Sequence, residues 1–490
     1  MFHFYGHNCF KFSDEGKVLL IDPWFSENGA FFGSWYQYPQ NHHLLDDIVK
    51  ESFNNNDFFI FISHEHQDHF DAESLKNFSR KTKILIPNYS DRFLKKKIEQ
   101  LGFEYELLEH FKRYKISNTF YVRPVLSEIG VNTDCALLIK TKNFCFFNQN
   151  DCKVFDIIDK IEEKINFYSV QFSGATAHPN SFVYNEEKEK RISIQKVEYK
   201  LKNVVSAIKK LNPDYYIPAA GPAVFPFLKS SLSYGAGENV FIHQLELNNF
   251  LVENGITNTI YMRPGDEFSP KLKTPISPPN KEDLNNYRNN IQNYWDDIKY
   301  NFDPIDLKIA IKRRLAKIKD IKINDCPIIV FKWSDKINEL FTINLNTKTV
   351  DQFFDYGSDY FEVFAERKYF YLMSRQYRWQ DISLCLIAKY KRVPDIFNNY
   401  INLFLFSDIE NIRDSFLSTI NIKIERVIVQ NEKGVRYEID RYCPHQGADL
   451  CEANIDSNNH LICPRHNWNF DLDKDGNHEN TGTKINSIKC

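Results

Sequence analysis

The stretch Ser63-His64-Glu65-His66-Gln67-Asp68-His69-Phe70 decides how the rest of the chain is interpreted. It places three imidazoles and one carboxylate close together in a single loop, on His64, His66, Asp68 and His69. The apolar run at 58–62 predicts a buried strand that delivers this loop rigidly. Imidazole and carboxylate are ligands that suit zinc or non-haem iron. The stretch therefore predicts a metal site; the alternative is an exposed histidine-rich turn without a metal.

Composition limits the classes of function. The chain has 490 residues, enough for two or three domains, with a net charge of -3. A charge this close to neutral gives no general attraction to nucleic acid, so we expect small molecules or other proteins as partners. The apolar runs are too short for a membrane span. The start, M-F-H-F-Y-G-H, lacks the features of a signal peptide, and the scattered cysteines suit a reducing compartment, so we expect a cytoplasmic protein.

The apolar pattern predicts an α/β protein with three parts. Short apolar strands alternate with helical stretches in the first half, which is typical of a layered sandwich. Ser269 to Lys281 is proline-rich and cannot hold a regular helix or a central strand. We therefore place a boundary there and expect domains at 1–272 and 413–490, joined by a mixed α+β middle region at 273–412. The sequence of the middle region contains no motif that suggests a catalytic or metal site.

Three further residues are candidates for the metal site or the substrate. Asp151 follows a predicted strand at 144–147, a strand end where a carboxylate can bind or bridge a metal, and a solvent-facing turn residue is the alternative. His7 is either a packed polar residue or a second-layer contact to the metal. Arg263 is a candidate substrate contact, because guanidinium grips anionic oxygens bidentately, and a structural salt bridge is the alternative.

The C-terminal segment carries a second motif. Cys443-Pro444-His445 is followed, seventeen residues later, by Cys463-Pro464-Arg465-His466. Two thiolates and two imidazoles can hold the two irons of a Rieske [2Fe-2S] cluster, and they can also form a tetrahedral zinc site. The flanks H-Q-G-A-D-L and H-N-W-N-F-D-L resemble those of Rieske domains and favour the cluster, with Cys443, His445, Cys463 and His466 as its ligands.

The whole chain resembles the CMP-N-acetylneuraminate hydroxylase family. The stretches that carry the resemblance are F-Y-G-H-N-C, I-D-P-W-F, I-S-H-E-H-Q-D-H, N-T-D-C-A-L-L-I, N-Q-N-D-C, M-R-P-G-D, R-V-P-D-I-F and C-P-R-H-N-W-N-F-D-L. The resemblance implies a metallo-β-lactamase-like αββα sandwich in the first domain and a small all-β Rieske domain in the last. The order is permuted, because the Rieske domain comes first in the animal enzymes. Ala448 and Arg465 stand where Rieske domains of respiratory complexes have disulfide cysteines, which implies the oxygenase or soluble-ferredoxin type.

The resemblance also implies an activity. It is that of an iron-dependent monooxygenase that hydroxylates a small molecule, in this family the N-acyl group of a nucleotide-activated sugar. One or two non-haem irons, with zinc as the alternative, would be held by His64, His66, Asp68, His69, Asp151 and Glu128. Glu128 is included among these ligands because it is the only strong metal ligand near the position where the family has a histidine. An external ferredoxin, cytochrome or reductase would reduce the cluster, which passes electrons on within one chain or within a homo-oligomer.

Other functions stay open at this point. The oxygenase could act on another amine or amide metabolite. A metal-dependent hydrolase with a redox-sensing Rieske domain, or a pure electron carrier, are alternatives from other classes. The strand end I-P-A-A-G-P lacks the final histidine of ordinary metallo-β-lactamases, which disfavours a two-zinc hydrolase unless His178 compensates. A hydrolytic site needs no electrons, so the pair of motifs favours redox chemistry.

Overall fold

The chain forms two compact units. The first comprises Met1–Glu128, Thr133–Thr176 and Ser193–Ile298, and the second comprises Ile129–Asn132, Ala177–Ile192 and Lys299–Cys490. The structure is a computed structural model of the chain. It describes all residues except 130–131, 175, 222, 226–239, 273, 275, 277–281, 284, 288, 290–300, 334–339, 353–356, 376–377, 421–424 and 466.

Strands of the first unit form two six-stranded sheets. The strands are β1 (Phe2–Phe4), β2 (Phe10–Asp14), β3 (Lys17–Ile21), β4 (Tyr36–Gln37), β5 (Phe58–Phe61), β6 (Lys83–Pro87), β7 (Tyr105–Leu108), β8 (Tyr114–Lys115), β9 (Tyr121–Ile129), β10 (Asn132–Lys140), β11 (Cys145–Asn150), β12 (Phe167–Gln171), β13 (Tyr215–Ala219) and β14 (Ala223–Val224). One sheet has the order β1-β2-β3-β5-β6-β7 and the other β13-β12-β11-β10-β9-β8. The short strands β4 and β14 pair with each other.

Helices cover the outer faces of both sheets. They are α1 (Leu45–Asn54), α2 (Ala72–Leu75), α3 (Phe93–Gln100), α4 (Glu186–Leu211, in this unit from Ser193 onward) and α5 (Gln244–Glu253). Apolar side chains such as Phe10 and Phe146 fill the space between the sheets. On the far side of the second sheet, Val204 and Ile208 of α4 pack in one core with Tyr168 of β12. The unit is therefore the expected αββα sandwich.

Strand direction sets where the polar loops gather. β3, β5, β6 and β7 are parallel neighbours, and so are β11, β12 and β13. Parallel strands end at the same edge of a sheet, so the loops that follow them meet there.

Among its described residues, the second unit has a five-stranded mixed sheet, two small sheets and five helices besides the start of α4. Its strands are β15 (Ile328–Trp333), β16 (Leu340–Asn344), β17 (Thr349–Asp351), β18 (Tyr360–Ala365), β19 (Lys389–Val393), β20 (Arg426–Gln430), β21 (Arg436–Asp440), β22 (His460–Ile462), β23 (Asn469–Asp471) and β24 (Ile488–Lys489). Its helices are α6 (Pro304–Lys317), α7 (Arg367–Ser374), α8 (Trp379–Leu384), α9 (Asn399–Phe406) and α10 (Ile412–Ile420).

The sheets of the second unit form separate parts of its structure. The large sheet has the order β17-β16-β15-β18-β19, and residues 181–183 bond to Tyr390 of its edge strand. The sheets β20-β21-β24 and β22-β23 surround a small core that includes Cys443 and Cys463. Within the described part of the chain, no helix has both the length and the apolar character needed to cross a membrane.

Candidate metal centre and cluster-binding loops

The loop at 63–70 is fixed to the edge of the first sheet. Asp22 directly follows β3, and Ser63 lies just beyond the neighbouring parallel strand β5. The backbone N–H and the hydroxyl of Ser63 donate to Asp22 Oδ1 and Oδ2 at 2.7 and 2.6 Å. The Tyr89 hydroxyl donates to the Ser63 carbonyl at 2.5 Å. The loop therefore starts from a hydrogen-bonded, buried base.

One group of potential metal ligands consists of His64, His66 and Asp151. One donor atom from each lies within 4.8 Å of those of the other two. His64 Nε2 is 2.9 Å from His66 Nδ1 and 3.7 Å from Asp151 Oδ2. Asp151 comes from the second sheet, directly after β11, so the group joins both sheets.

A second group consists of His7, Asp68 and His69, all buried. His7 Nε2 is 3.1 Å and His69 Nε2 is 3.7 Å from Asp68 Oδ2. Asp151 Oδ1 also lies 3.7 Å from His69 Nε2. Asp151 thus presents one carboxylate oxygen to each group, which is the position of a shared ligand.

Two more carboxylates lie near the Nδ1 atoms of His69 and His64. His69 donates its Nδ1–H to Asp22 Oδ2 at 2.8 Å, because a carboxylate only accepts. His64 Nδ1 lies 3.0 Å from the Ser63 hydroxyl, which itself donates to Asp22, and 3.3 Å from Asp134 Oδ1. A carboxylate on the far ring nitrogen fixes the tautomer and leaves Nε2 for a metal. Both groups therefore contain a histidine oriented as metal-ligating histidines are.

The residues fit metal ions. The buried ring nitrogens His66 Nε2 and His69 Nε2 have no hydrogen-bond partner within the described part of the chain, and His7 Nε2 faces Asp68 Oδ2 at 3.1 Å. Leaving such atoms unsatisfied is costly, and a metal ion removes that cost. Each group offers two imidazoles and one carboxylate, the donor set of non-haem Fe(II) oxygenase sites and one that zinc also accepts.

The electrostatics of the metal-free groups are strongly perturbed. Burial lowers the pKa of His64 to about 4. Burial also opposes the charge of His69, but Asp151, Asp68 and Asp22 outweigh it and raise the pKa of His69 to about 10. Burial and the nearby Asp151 raise the pKa of Asp134 well above its ordinary value. Crowded carboxylates and imidazoles of this kind mark a site built to hold positive charge.

The structure brings together most of the predicted metal ligands. His64, His66, Asp68, His69 and Asp151 converge as described above. Glu128 lies elsewhere: it is exposed, its carboxylate accepts the Ser90 N–H at 2.6 Å, and neither group found among the described residues includes it. Arg263 is also exposed, and its backbone N–H donates to Asp266 Oδ2 at 2.7 Å.

The structure also shows where His178, His7 and Asp134 lie. His178 belongs to the second unit, where its Nε2 is 3.1 Å from the Tyr184 hydroxyl. His7, for which packing and a second-layer contact were the two interpretations, takes a ligand position instead. Asp134 has no role predicted from the sequence. Its signal was present in N-T-D-C-A, a carboxylate at the start of the strand that pairs with β11.

The two C-terminal loops have the same backbone pattern. The N–H groups of Cys443 and Cys463 donate to the carbonyls of Ala448 and Trp468, both at 2.8 Å. Their own carbonyls accept from residues 447 and 467, both with positive φ. Burial and the neighbouring Cys463 thiol raise the pKa of Cys443. Thiols in this setting become thiolates when iron binds them, which fits the expected cluster.

Aromatic rings surround the cluster ligand His445. Its ring stacks on Trp468 with 4.3 Å between centroids and 8° between planes. Phe397 meets His445 edge-on at 5.1 Å and Trp468 edge-on at 5.2 Å. His478 packs on the same indole at 4.6 Å. The predicted ligand His466 lies outside the described residues.

Comparison with known proteins agrees with this division of sites. Residues 1–152 match the model of a β-lactamase superfamily domain, and residues 406–489 match that of the Rieske [2Fe-2S] domain. A protein of Mycolicibacterium smegmatis described as a Rieske 2Fe-2S iron–sulfur protein is 23% identical, over 99% of this chain and 98% of its own length.

Two enzymes match parts of the chain. Cytidine monophosphate-N-acetylneuraminic acid hydroxylase of Cricetulus griseus is 23% identical over 53% of this chain and 46% of its own length. Cholesterol 7-desaturase of Hemicentrotus pulcherrimus is 31% identical over 80 residues, 16% of this chain and 17% of its own. The chain therefore joins a metallo-β-lactamase-like domain to a C-terminal Rieske domain, as expected. Its enzyme homologues are oxidoreductases, so the chain is an oxidoreductase, and the comparisons support an oxygenase at this coarse level.

Proposed function

We propose that this chain, which combines a metallo-β-lactamase-like domain with a Rieske domain, is a non-haem iron oxygenase that hydroxylates a small organic molecule. The observation that carries the proposal is the donor set of the first unit. His64, His66 and Asp151 form one group of two imidazoles and a carboxylate, and His7, Asp68 and His69 form another. This is the set used to bind iron that reacts with dioxygen.

Each part of the chain has a defined task in this proposal. Iron at these groups would supply the redox chemistry with dioxygen, and a cluster at Cys443, His445, Cys463 and His466 would supply electrons. Asp22 accepts the Nδ1–H of His69, and the Ser63 hydroxyl lies 3.0 Å from Nδ1 of His64, so both imidazoles keep Nε2 toward the metal. Phe31 packs edge-on against His66 at 6.1 Å and helps to exclude water from that side.

The proposed substrate is a nucleotide-activated sugar that is hydroxylated on its N-acyl group. The relative whose name contains such a compound supports this choice, although its alignment covers 46% of its own length. Another amine or amide metabolite is the alternative. The donor of electrons is a ferredoxin, a cytochrome or a reductase, since Rieske proteins accept electrons from such partners. The chain acts alone or as a homo-oligomer.

Single-turnover experiments test the reaction type. Chemically reduced protein is mixed with ¹⁸O-labelled dioxygen, with and without candidate nucleotide sugars and amines. We expect substrate to accelerate reoxidation of the cluster and label from dioxygen to appear in the product. Product labelled only from water, and formed equally well by oxidised protein, would reject the oxygenase.

A metal-dependent hydrolase is the second candidate. Asp151 lies between the two groups with one oxygen toward each, an arrangement that also suits two zinc ions acting on a bridging water. Metal analysis separates the two functions: iron in excess of the cluster supports the oxygenase, and zinc in its place supports the hydrolase.

A further inference from the structure

A group of lysines and small residues lies beside the metal centre at the end of the second sheet. β11, β12 and β13 are parallel, so Asp151, Ser173 and Gly221 all follow neighbouring strands at one edge. The N–H of Ala220 donates to the carbonyl of His7 at 2.8 Å, which ties this edge to the metal ligands. The carboxyl edge of parallel strands is the usual place for a ligand.

The ammonium group of Lys200 is held at this edge. It donates to the side-chain oxygen of Gln171 and to the carbonyl of Ser173. These two residues lie at and just beyond the end of β12. Neither acceptor carries a full negative charge, so the contacts position the ammonium group without neutralising it.

Two further lysines act on the same ammonium group. Lys196 lies one turn before Lys200 on α4, and Lys153 lies two residues after Asp151. Like charges four residues apart on a helix repel each other. Burial, followed by the charge of Lys153, lowers the pKa of Lys200 to about 7, with Lys196 acting in the same direction and Asp151 opposing. An anion bound between the lysines would relieve this repulsion.

Ser173 supplies an independent observation that points to a ligand-binding position. Its side chain is 2% exposed, and its hydroxyl has no hydrogen-bond partner within the described part of the chain. Gly221 faces it with φ of +153°, and a Cβ there would lie 2.9 Å from Ser173 Cβ. A buried hydroxyl donor without a partner, next to an ammonium group, suits an oxygen atom of an anion.

We propose that Lys200, Ser173 and Lys196, with Lys153 at the rim, form an oxyanion subsite that holds a phosphate or carboxylate group of the substrate beside the metal centre. That the bound anion belongs to the substrate rests on the proposed function, whereas the binding of an oxyanion does not. The subsite deepens that proposal, because it requires the hydroxylated molecule to be an anion.

Calorimetric titration of the full-length, metal-loaded protein tests the subsite. Inorganic phosphate is used in one arm and acetate in the other, and the arm with the tighter wild-type binding identifies the anion class. For that anion we expect Lys200→Gln to weaken binding about tenfold, because a charge-assisted hydrogen bond is lost. Lys196→Gln, a change one turn away on the same face, should weaken binding severalfold and serves where the Lys200 variant does not fold.

Lys202→Gln is the matched control on the same helix. Its side chain is 58% exposed and pairs with Glu198 at 2.7 Å, so anion binding should equal that of the wild type. Anions that bind only at the metal ions would bind all variants equally, which overturns the subsite, as does equal weakening by the control. If neither phosphate nor acetate binds the wild-type protein, the subsite is also overturned. The titration uses no dioxygen or reductant, so a failed oxygenase assay with intact, lysine-dependent binding rejects only the proposed function.

Discussion

Asp151 is the residue on which both ligand groups depend. Its two oxygens lie 3.7 Å from His64 Nε2 and 3.7 Å from His69 Nε2. Burial disfavours its charge, but His64 and His69 outweigh burial and lower the pKa of Asp151 to about 2. It is therefore a carboxylate at neutral pH.

We predict that Asp151→Asn lowers the metal content of the first unit by about half or more, because a neutral amide is a poor bridging ligand. Elemental analysis, after subtraction of the cluster iron, measures the loss. Glu128→Gln is the control, since Glu128 accepts a backbone N–H outside both groups. Equal loss of metal in the two variants would contradict the assignment of Asp151 and return Glu128 to the ligand set.

The histidine–carboxylate contacts predict how metal binding depends on pH. In the metal-free protein, burial opposes the charge of His69 but Asp151, Asp68 and Asp22 raise its pKa to about 10, so His69 carries an extra proton at neutral pH. Asp22 accepts the Nδ1–H, so the proton on Nε2 is the one that a metal displaces. Metal affinity should therefore rise with pH up to about 10.

Metal titration in weakly buffered solution at pH 7 should release about one proton from this histidine. Asp22→Asn removes one of the charges that raise the pKa of His69, so proton release measured over a pH series should fall to half at a lower pH than in the wild type. Release that is zero in the wild type at pH 7, or a half-release pH that is unchanged in the variant, would show that His69 is not protonated in this way.

At the scale of elements, strands explain what could be predicted from the sequence. The buried strand before the ligand loop, the carboxylate at the end of β11 and the two cysteine loops all follow from local patterns. Asp134 and His7 depend on which strands pair and in which register, and that information is not local. The apolar residues at 194–211 recur at helical spacing and lie on α4, but Ile194 at the start of this stripe is 43% exposed, because the end of an apolar stripe need not reach a packing partner.

The segment between β19 and α9 should influence the midpoint potential of the cluster. Phe397 lies on this segment, donates its N–H to the Thr481 carbonyl at 2.9 Å and covers the His445 ring. Phe397→Ala should admit water beside the ligand and stabilise the reduced, more negative cluster, which raises the midpoint potential. A change of about 1 kcal/mol in relative solvation corresponds to about 43 mV for one electron. Redox titration followed by EPR measures the shift, and Phe364→Ala, on an exposed side chain of β18, is the control.

At the scale of the whole molecule, each unit has its own hydrophobic core. Phe10, Phe146 and their neighbours form the core around the metal groups, whereas Tyr437, Leu461 and Phe470 pack around the two cysteines. Residues that stabilise one core do not appear in the other. The two sites should therefore lose their metals independently, although the proposed reaction needs both.

This independence gives a paired prediction for the complete chain. Cys443→Ser should abolish the Rieske absorption and EPR signal, because one iron loses a thiolate, while the first unit keeps its metal. His66→Ala should do the reverse, since it removes one imidazole from the group that contains Asp151 and leaves the cluster loops unchanged. Both variants should fail to oxidise substrate. If either substitution removed both metal sites, the cores would not be independent; if the Rieske signal survived Cys443→Ser, the cluster assignment would be wrong. The two losses, each confined to its own unit, are what a chain should show when one site stores electrons and the other uses them.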